Sequence, residues 1–327
     1  MKTVYSFVFV FLSTFAFAAD EPTKLNIGIY VKFLSISNKD ACALLDFYYW
    51  YRFDLPKDTT GLSEYYKLEF VNGDIIFNEI QEEKIVGNQF YVSGRIKGNF
   101  HFITDYVNYP FDRQKLLIQI EHQTMDERKI ILVPDVKSYL KSGQDKSFWG
   151  LTKGLRSEGF VATKSDFLKS TRVYETDFGD PTIKENHSNY SNLTYHIYVS
   201  RDYSPYVLKF LLPLIIILSL AYLVFYIPAQ ALEIACSLTV TSLLAGIAFQ
   251  WTISNDLHNV GYLTCVDKIF YLSYLLIMLA MAQTIWAFYL DKNGNIKLSN
   301  RLEIAGRFMF PFLFFLGVFY FIYNSIY

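Results

Sequence analysis

Seven residues in the stretch Gln230 to Asn255, namely Glu233, Ser237, Thr241, Leu244, Ala248, Trp251 and Asn255, follow one another at steps of three or four and so share one helix face. Their types suit the handling of ions rather than the making of bonds: a carboxylate first, then two hydroxyls, three apolar side chains and an amide. The other faces are mostly Leu, Ile, Val, Ala and Phe. Unpaired polar groups are costly in hydrocarbon, so the stripe is expected to face water or protein. No metal-ligand spacing, phosphate-binding loop or nucleophile elbow occurs, so neither catalysis, a cofactor nor a metal is expected. His101, His122, His187, His196 and His258 are scattered, either surface groups or proton sensors near about pH 6. Glu79, Glu82 and Glu83 read as a solvated acidic turn rather than a Ca²⁺ site.

The elements that must position the stripe follow from composition. Of 327 residues 52% are hydrophobic and 18% aromatic, yet 19% are charged with a net charge of −1, which describes a membrane part joined to an ordinary water-exposed domain. Four apolar runs, 206–226, 231–253, 266–290 and 304–326, are each long enough to cross about 30 Å of hydrocarbon at roughly 1.5 Å per residue. Residues 1–19 read as a signal peptide, with Lys2, an apolar run, and Ala16 and Ala18 ahead of Asp20. This divides the chain into an exported region, 20–204, and a membrane region, 205–327. Both termini are then extracytoplasmic, and the short loop 291–303, with Lys292, Lys297 and Arg301, is cytoplasmic. A multi-pass plasma-membrane protein is expected, in the inner membrane if the source is bacterial.

The exported region carries runs such as LNIGIYVKFLSI, CALLDFYYWYRFDL, NQFYVSGRIKGNFHFI, QKLLIQIEH and NLTYHIYVSR, punctuated by SNKD, VNGD, VGN, YPFD and FGDP. An all-β sandwich of about ten strands, immunoglobulin-like, followed by a four-helix transmembrane bundle, is the expected fold. Cys42, Cys236 and Cys265 cannot form a disulfide framework there, and Cys42 reads as a small buried side chain. Sequons at Asn186, Asn189 and Asn192 matter only in a glycosylating pathway.

The segment Tyr109-Pro110-Phe111-Asp112-Arg113-Gln114 resembles the aromatic-Pro-Phe-Asp-x-Gln signature of the pentameric ligand-gated ion channels, the Cys-loop receptor superfamily. Where that family usually has two bracketing cysteines this chain has Phe102 and Leu116, a departure shared by bacterial members. The resemblance extends over nearly the whole mature chain. It takes in Pro213 in the first span, the striped second span, the GYLT segment Gly261 to Thr264, and the short connection between the third and fourth spans.

A lone narrow stripe cannot enclose water, so several copies must surround one axis, and the resemblance implies a homopentamer in which each chain has four identical partner subunits within the lipid bilayer. The stripe becomes rings. Glu233 would select permeant cations, with Ser237 and Thr241 replacing hydration, while Leu244, Ala248 and Trp251 would form a hydrophobic gate and Asn255 would also line the pore. Glu233 also suits a helix N-terminus, and Trp251 either narrows the pore or packs between helices. At the domain junction the resemblance implies an Asp112–Arg201 pair, with Asp40 of the SNKD loop, Pro110, Phe111, Tyr262 and Thr264 around it.

The family's ligand site, between neighbouring subunits, would draw on Phe70, Tyr139, Phe178 and Tyr190 from one face and on Tyr49, Trp50 or Tyr51 from the other, a set suited to an amine. For any single one of these aromatics, packing in the sandwich core or an interface is the reading the abundance of Tyr and Phe favours. The expected activity is an ion channel opened by a small extracellular ligand, by pH or by a divalent ion. A non-conducting membrane-anchored sensor and a small transporter are the other classes.

Overall fold

The computed structural model describes residues 21–56, 62–157, 159–179, 188–255, 257 and 260–326. The expected signal peptide, the sequon at Asn186, and His187 and His258 lie outside them. The outer region contains ten strands: β1 (Thr23–Ser37), β2 (Cys42–Asp54), β3 (Leu68–Phe70), β4 (Gly73–Val86), β5 (Gln89–His101), β6 (Arg113–His122), β7 (Ile130–Pro134), β8 (Arg156–Ser157), β9 (Phe160–Tyr174) and β10 (Ser188–Arg201). They form two five-stranded sheets, ordered β4-β5-β2-β1-β7 and β3-β6-β10-β9-β8.

Alternation of side chains puts one parity of each strand between the sheets. In β2, Ala43, Leu45, Phe47, Tyr49, Tyr51 and Phe53 are all buried. Leu25, Ile27, Ile29 and Val31 of β1, Leu116, Ile118 and Ile120 of β6, and Leu193, Tyr195, Ile197 and Val199 of β10 meet them in one core. Phe102 and Leu116, at the places of the family's cysteines, belong to that core as well. Packing there is tight enough to demand glycine: a Cβ on Gly94 of β5 would lie 2.6 Å from the Tyr49 hydroxyl and 2.6 Å from the carbonyl of Glu79.

Two corrections concern the strands. The acidic segment expected as a turn is the middle of β4, a 14-residue edge strand with nearly every residue exposed. Neither of its faces is buried, so it lacks the alternation by which a half-buried strand is recognised. β9 was not expected either. Its outer half, past Phe167, leaves the core and pairs only with β10.

Below the sandwich lie α2 (Tyr203–Tyr222), α3 (Leu232–Ser254), α4 (Cys265–Lys292) and α5 (Ile296–Ile326); the short α1 (Val136–Lys141) caps the outer region. All four long helices are apolar and long enough to cross a membrane. α5 starts at Ile296, well before the expected 304, so the expected loop 291–303 shrinks to the few residues between Lys292 and Ile296, where Gly294 takes a left-handed conformation. Polar residues such as Lys297 and Arg301 continue the helix beyond its apolar run, because a helix end in water needs no hydrophobic pattern. Phe308, Phe312, Phe315 and Phe319 form an exposed stripe on α5 suited to lipid.

Candidate functional site

Three places carry the candidate side chains. The first is the junction of sandwich and helices. Asp112, directly before β6, and Arg201, the last residue of β10, form a bidentate pair: Arg201 Nε donates to Oδ1 at 2.6 Å and Nη2 to Oδ2 at 3.0 Å. Both side chains are essentially inaccessible. The guanidinium lies 4.9 Å from the Tyr109 ring, 4.3 Å from Phe160 and 5.2 Å from Tyr206. Burial alone opposes the charge, but the Asp112 bonds hold Arg201 above the ordinary arginine range.

The rest of the expected junction is partly redrawn. Asp40 ties its own turn, accepting from Ser37 Oγ at 2.6 Å. Asn38 is the residue of that loop that reaches the pair: its Oδ1 accepts from Arg201 at 3.1 Å and its carbonyl accepts from the Tyr106 hydroxyl at 3.1 Å. Gln114 donates to Asp112 Oδ2 at 2.7 Å. Gln114 closes the signature motif, whereas only position could have pointed to Asn38 and Tyr106. Tyr262 accepts from the Tyr106 backbone N–H at 2.9 Å, Thr264 caps α4 in a reciprocal box with Asp267, and the Cys265 N–H donates to the Val107 carbonyl at 3.0 Å. Pro110 is buried, and Phe111 packs 5.2 Å from Tyr203 at the start of α2. Tyr106 and Tyr109 share one buried cluster with Phe210, Leu214 and Ile269, so the YPFD loop is wedged among the helices.

The second place is α3. Glu233, Ser237, Thr241, Leu244, Ala248, Trp251 and Asn255 are all exposed in the single subunit, with Leu244 at 62% and Trp251 at 71%. Ala235, Thr239, Ser242 and Gly246 on the opposite side are buried within the subunit. Polar residues are thus not confined to the stripe. Thr239 and Ser242 satisfy their hydroxyls on helix carbonyls at 3.1 Å and 2.8 Å, and Gln250 bonds Asp267 at 3.0 Å and Tyr274 at 2.9 Å.

The third place is a cavity of about 750 Å³ beside the β9–β10 hairpin. Tyr174, Phe178 and Tyr190 stand edge to face around it, with centroids 5.4, 5.7 and 6.3 Å apart. Buried Glu121 accepts from the Tyr174 hydroxyl at 2.8 Å and from Asn192 at 2.8 Å. Burial first, and then Glu121, push the Tyr174 hydroxyl up to about 12, so it remains a donor.

Of the aromatics expected at a ligand site, only Phe178 and Tyr190 line this cavity. Phe70, Tyr49 and Tyr51 are core residues, for the alternation of their strands turns them inward. Tyr139 is buried, its hydroxyl bonded to the Ile29 N–H at 2.7 Å and carbonyl at 2.8 Å. Trp50 lies over Gly28 and donates to Asp135 at 2.9 Å. Asn192 is buried and hydrogen-bonded, so its sequon is inaccessible in this fold. Among the described residues no His, Cys, Asp and Glu group is arranged to hold a metal.

A two-sheet outer sandwich whose YPFD loop packs among four helices long and apolar enough to cross a membrane defines a multi-pass membrane protein with an outer domain joined closely to its spans. No family model matches the chain. It is 24% identical over 91% of its length, and 82% of the relative's, to a proton-gated ion channel of Gloeobacter violaceus. It is 23% identical over 64% of its length to pH-sensitive chloride channel 2 of Drosophila melanogaster, covering 38% of that protein. Both relatives are named as ion channels, which together with the sandwich and the four apolar helices supports a pentameric ligand-gated channel rather than an enzyme.

Proposed function

We propose that five copies of this chain surround a cation pathway lined by α3 and opened by acidification on the side of the outer domain. The observation that carries this reading is the exposure of all seven stripe residues on one face of α3, while the opposite face is packed inside the subunit. Stripes set around an axis place Glu233 at one end of the pathway and the apolar Leu244, Ala248 and Trp251 toward the sandwich, a charge filter followed by a constriction that closes by dewetting. The relatives' names support pH as the trigger, one being proton-gated and the other pH-sensitive. The second also names chloride, so the cation preference rests on Glu233 of this chain alone.

The sandwich is assigned to the extracytoplasmic side and the α4–α5 turn to the cytoplasm. The aromatic cavity with its Glu121 floor supports a second reading, in which a small amine acts there through ring faces and a nearby carboxylate. Purified protein in planar bilayers tests both. Stepping the outer side from about pH 7.5 to about pH 5, across the ordinary histidine value of about 6.5, should evoke unitary currents that reverse near the sodium potential in asymmetric NaCl. Reversal at the chloride potential would remove the selectivity assignment. Currents that ignore pH but saturate with an amine would favour the second reading.

A further inference from the structure

We propose that His122 is a proton-binding site whose occupation releases the loop 123–129 from the end of β6. This rests on the pH-gated reading above. The ring is buried, 2% exposed, and three bonds fix its protonation state. Nε2 lies 2.7 Å from the Glu64 carbonyl, which can only accept, so Nε2 carries the ring hydrogen. Nδ1 must then be the lone-pair nitrogen, and it accepts from the backbone N–H groups of Met125 at 2.9 Å and Thr124 at 3.2 Å.

A second proton would put an N–H on Nδ1, against two N–H donors. Turning the ring over brings no relief, because both nitrogens of an imidazolium are donors. Thr124 and Met125 must then find other acceptors, and the loop must move to supply them.

The loop is placed to pass this on. It lines the aromatic cavity through Thr124, Asp126 and Arg128, and its Glu127 N–H bonds the Asn189 carbonyl of β10 at 2.8 Å. β6 runs unbroken from His122 to Arg113, beside Asp112 of the junction. One strand therefore runs from the proton site to the ion pair at the junction with the helices.

The charges around the ring do not make it cationic at neutral pH. Glu64 and Lys67 beside it neutralise one another in a 2.6 Å ion pair. On the cavity side Glu69, Glu121 and Asp177 stand with Lys129 and Arg128, the latter bonded to Asp126 at 2.6 Å. Burial holds His122 below the ordinary histidine range. The sign follows: the folded value is depressed, so this conformation is favoured above the ordinary value of about 6.5 and loses stability as pH falls below it.

Two substitutions in the full-length channel should act in opposite directions. His122→Asn keeps an oxygen where Nδ1 accepts but cannot gain a proton, and should move half-activation to more acid pH by about tenfold in proton concentration or abolish it. His122→Phe leaves both amides without an acceptor, as protonation does, and should give current at neutral pH. His196→Asn, at a second buried histidine, serves as the control. Protection of the Thr124 and Met125 amides from hydrogen exchange, taken relative to the intrinsic rate at each pH, should fall on acidification in the wild type and not in His122→Asn.

An acid-activated wild type whose half-activation is unchanged in both variants, or displaced the same way in both, would overturn the assignment. If the wild-type channel ignores acid, the pH-gated reading fails, and the exchange comparison alone judges the site. Equal exchange in wild type and variant sinks it.

Discussion

Replacing Asp112 by Asn tests how much the buried pair at the junction stabilises the protein. The substitution removes the carboxylate and turns an amide N–H₂ toward donors, since Arg201 and Gln114 both donate to Asp112. Removing one partner of a buried pair costs about 3–5 kcal/mol, chiefly because the remaining charge stays buried without compensation. Here the guanidinium keeps Tyr109, Phe160 and Tyr206 around it and Asn38 on Nη2. Ring faces offset part of the loss, so the lower end, about 3 kcal/mol, is expected.

For a domain of about 150–250 residues each kcal/mol shifts the melting temperature by roughly 2–4 °C, which predicts a fall of about 6–12 °C. Melting of the detergent-purified oligomer, followed by loss of its size-exclusion peak at one heating rate, measures this. The double variant Asp112→Asn/Arg201→Met removes both charges and keeps an apolar stem among the rings. It should regain at least half of the loss, because uncompensated charge rather than lost attraction dominates. An Asp112→Asn protein melting within about 2 °C of wild type, below the expected shift for even 1 kcal/mol, would refute this account. So would a double variant worse than the single one.

Other consequences can be checked directly. Glu233→Gln should lower unitary cation conductance and weaken discrimination against chloride, most visibly below about 0.1 M salt, where screening is least. Unchanged reversal potentials would move the filter elsewhere. Leu244→Thr should let water into the apolar constriction and shift half-activation by roughly one pH unit toward neutral, equivalent to about 1.4 kcal/mol of gating free energy; a wild-type activation curve would show that Leu244 is not the gate. Gly306→Val should destabilise the bundle by about 1–3 kcal/mol by overpacking. A Cβ added there would lie 2.4 Å from both Gln283 and the Phe225 ring, and a melting temperature equal to wild type would mean that these neighbours can move away freely.

The exposed stripe of α3, the four spans and the YPFD loop were legible because each is written within one helix turn, one apolar run or one short motif. The inward parity of β2 was equally legible: Ala43, Leu45, Phe47, Tyr49, Tyr51 and Phe53 alternate without a break, so Tyr49 and Tyr51 belonged to the core from the start. Aromatic side chains suited to a ligand cage diverted attention from that alternation.

Tertiary structure alone decided the rest. Asn38 rather than Asp40 reaches Arg201, across 163 residues of chain, because the turn presents its second residue to the end of β10. Glu121, Tyr174 and Tyr190 share a cavity only because β6, β10 and β9 lie side by side. The tautomer of His122 depends on the Glu64 carbonyl, 58 residues away. Local periodicity fixes which way a side chain points, since it follows from bond geometry within a few residues. What the side chain meets depends on sheet order and on where a loop returns, and no window of sequence contains that information.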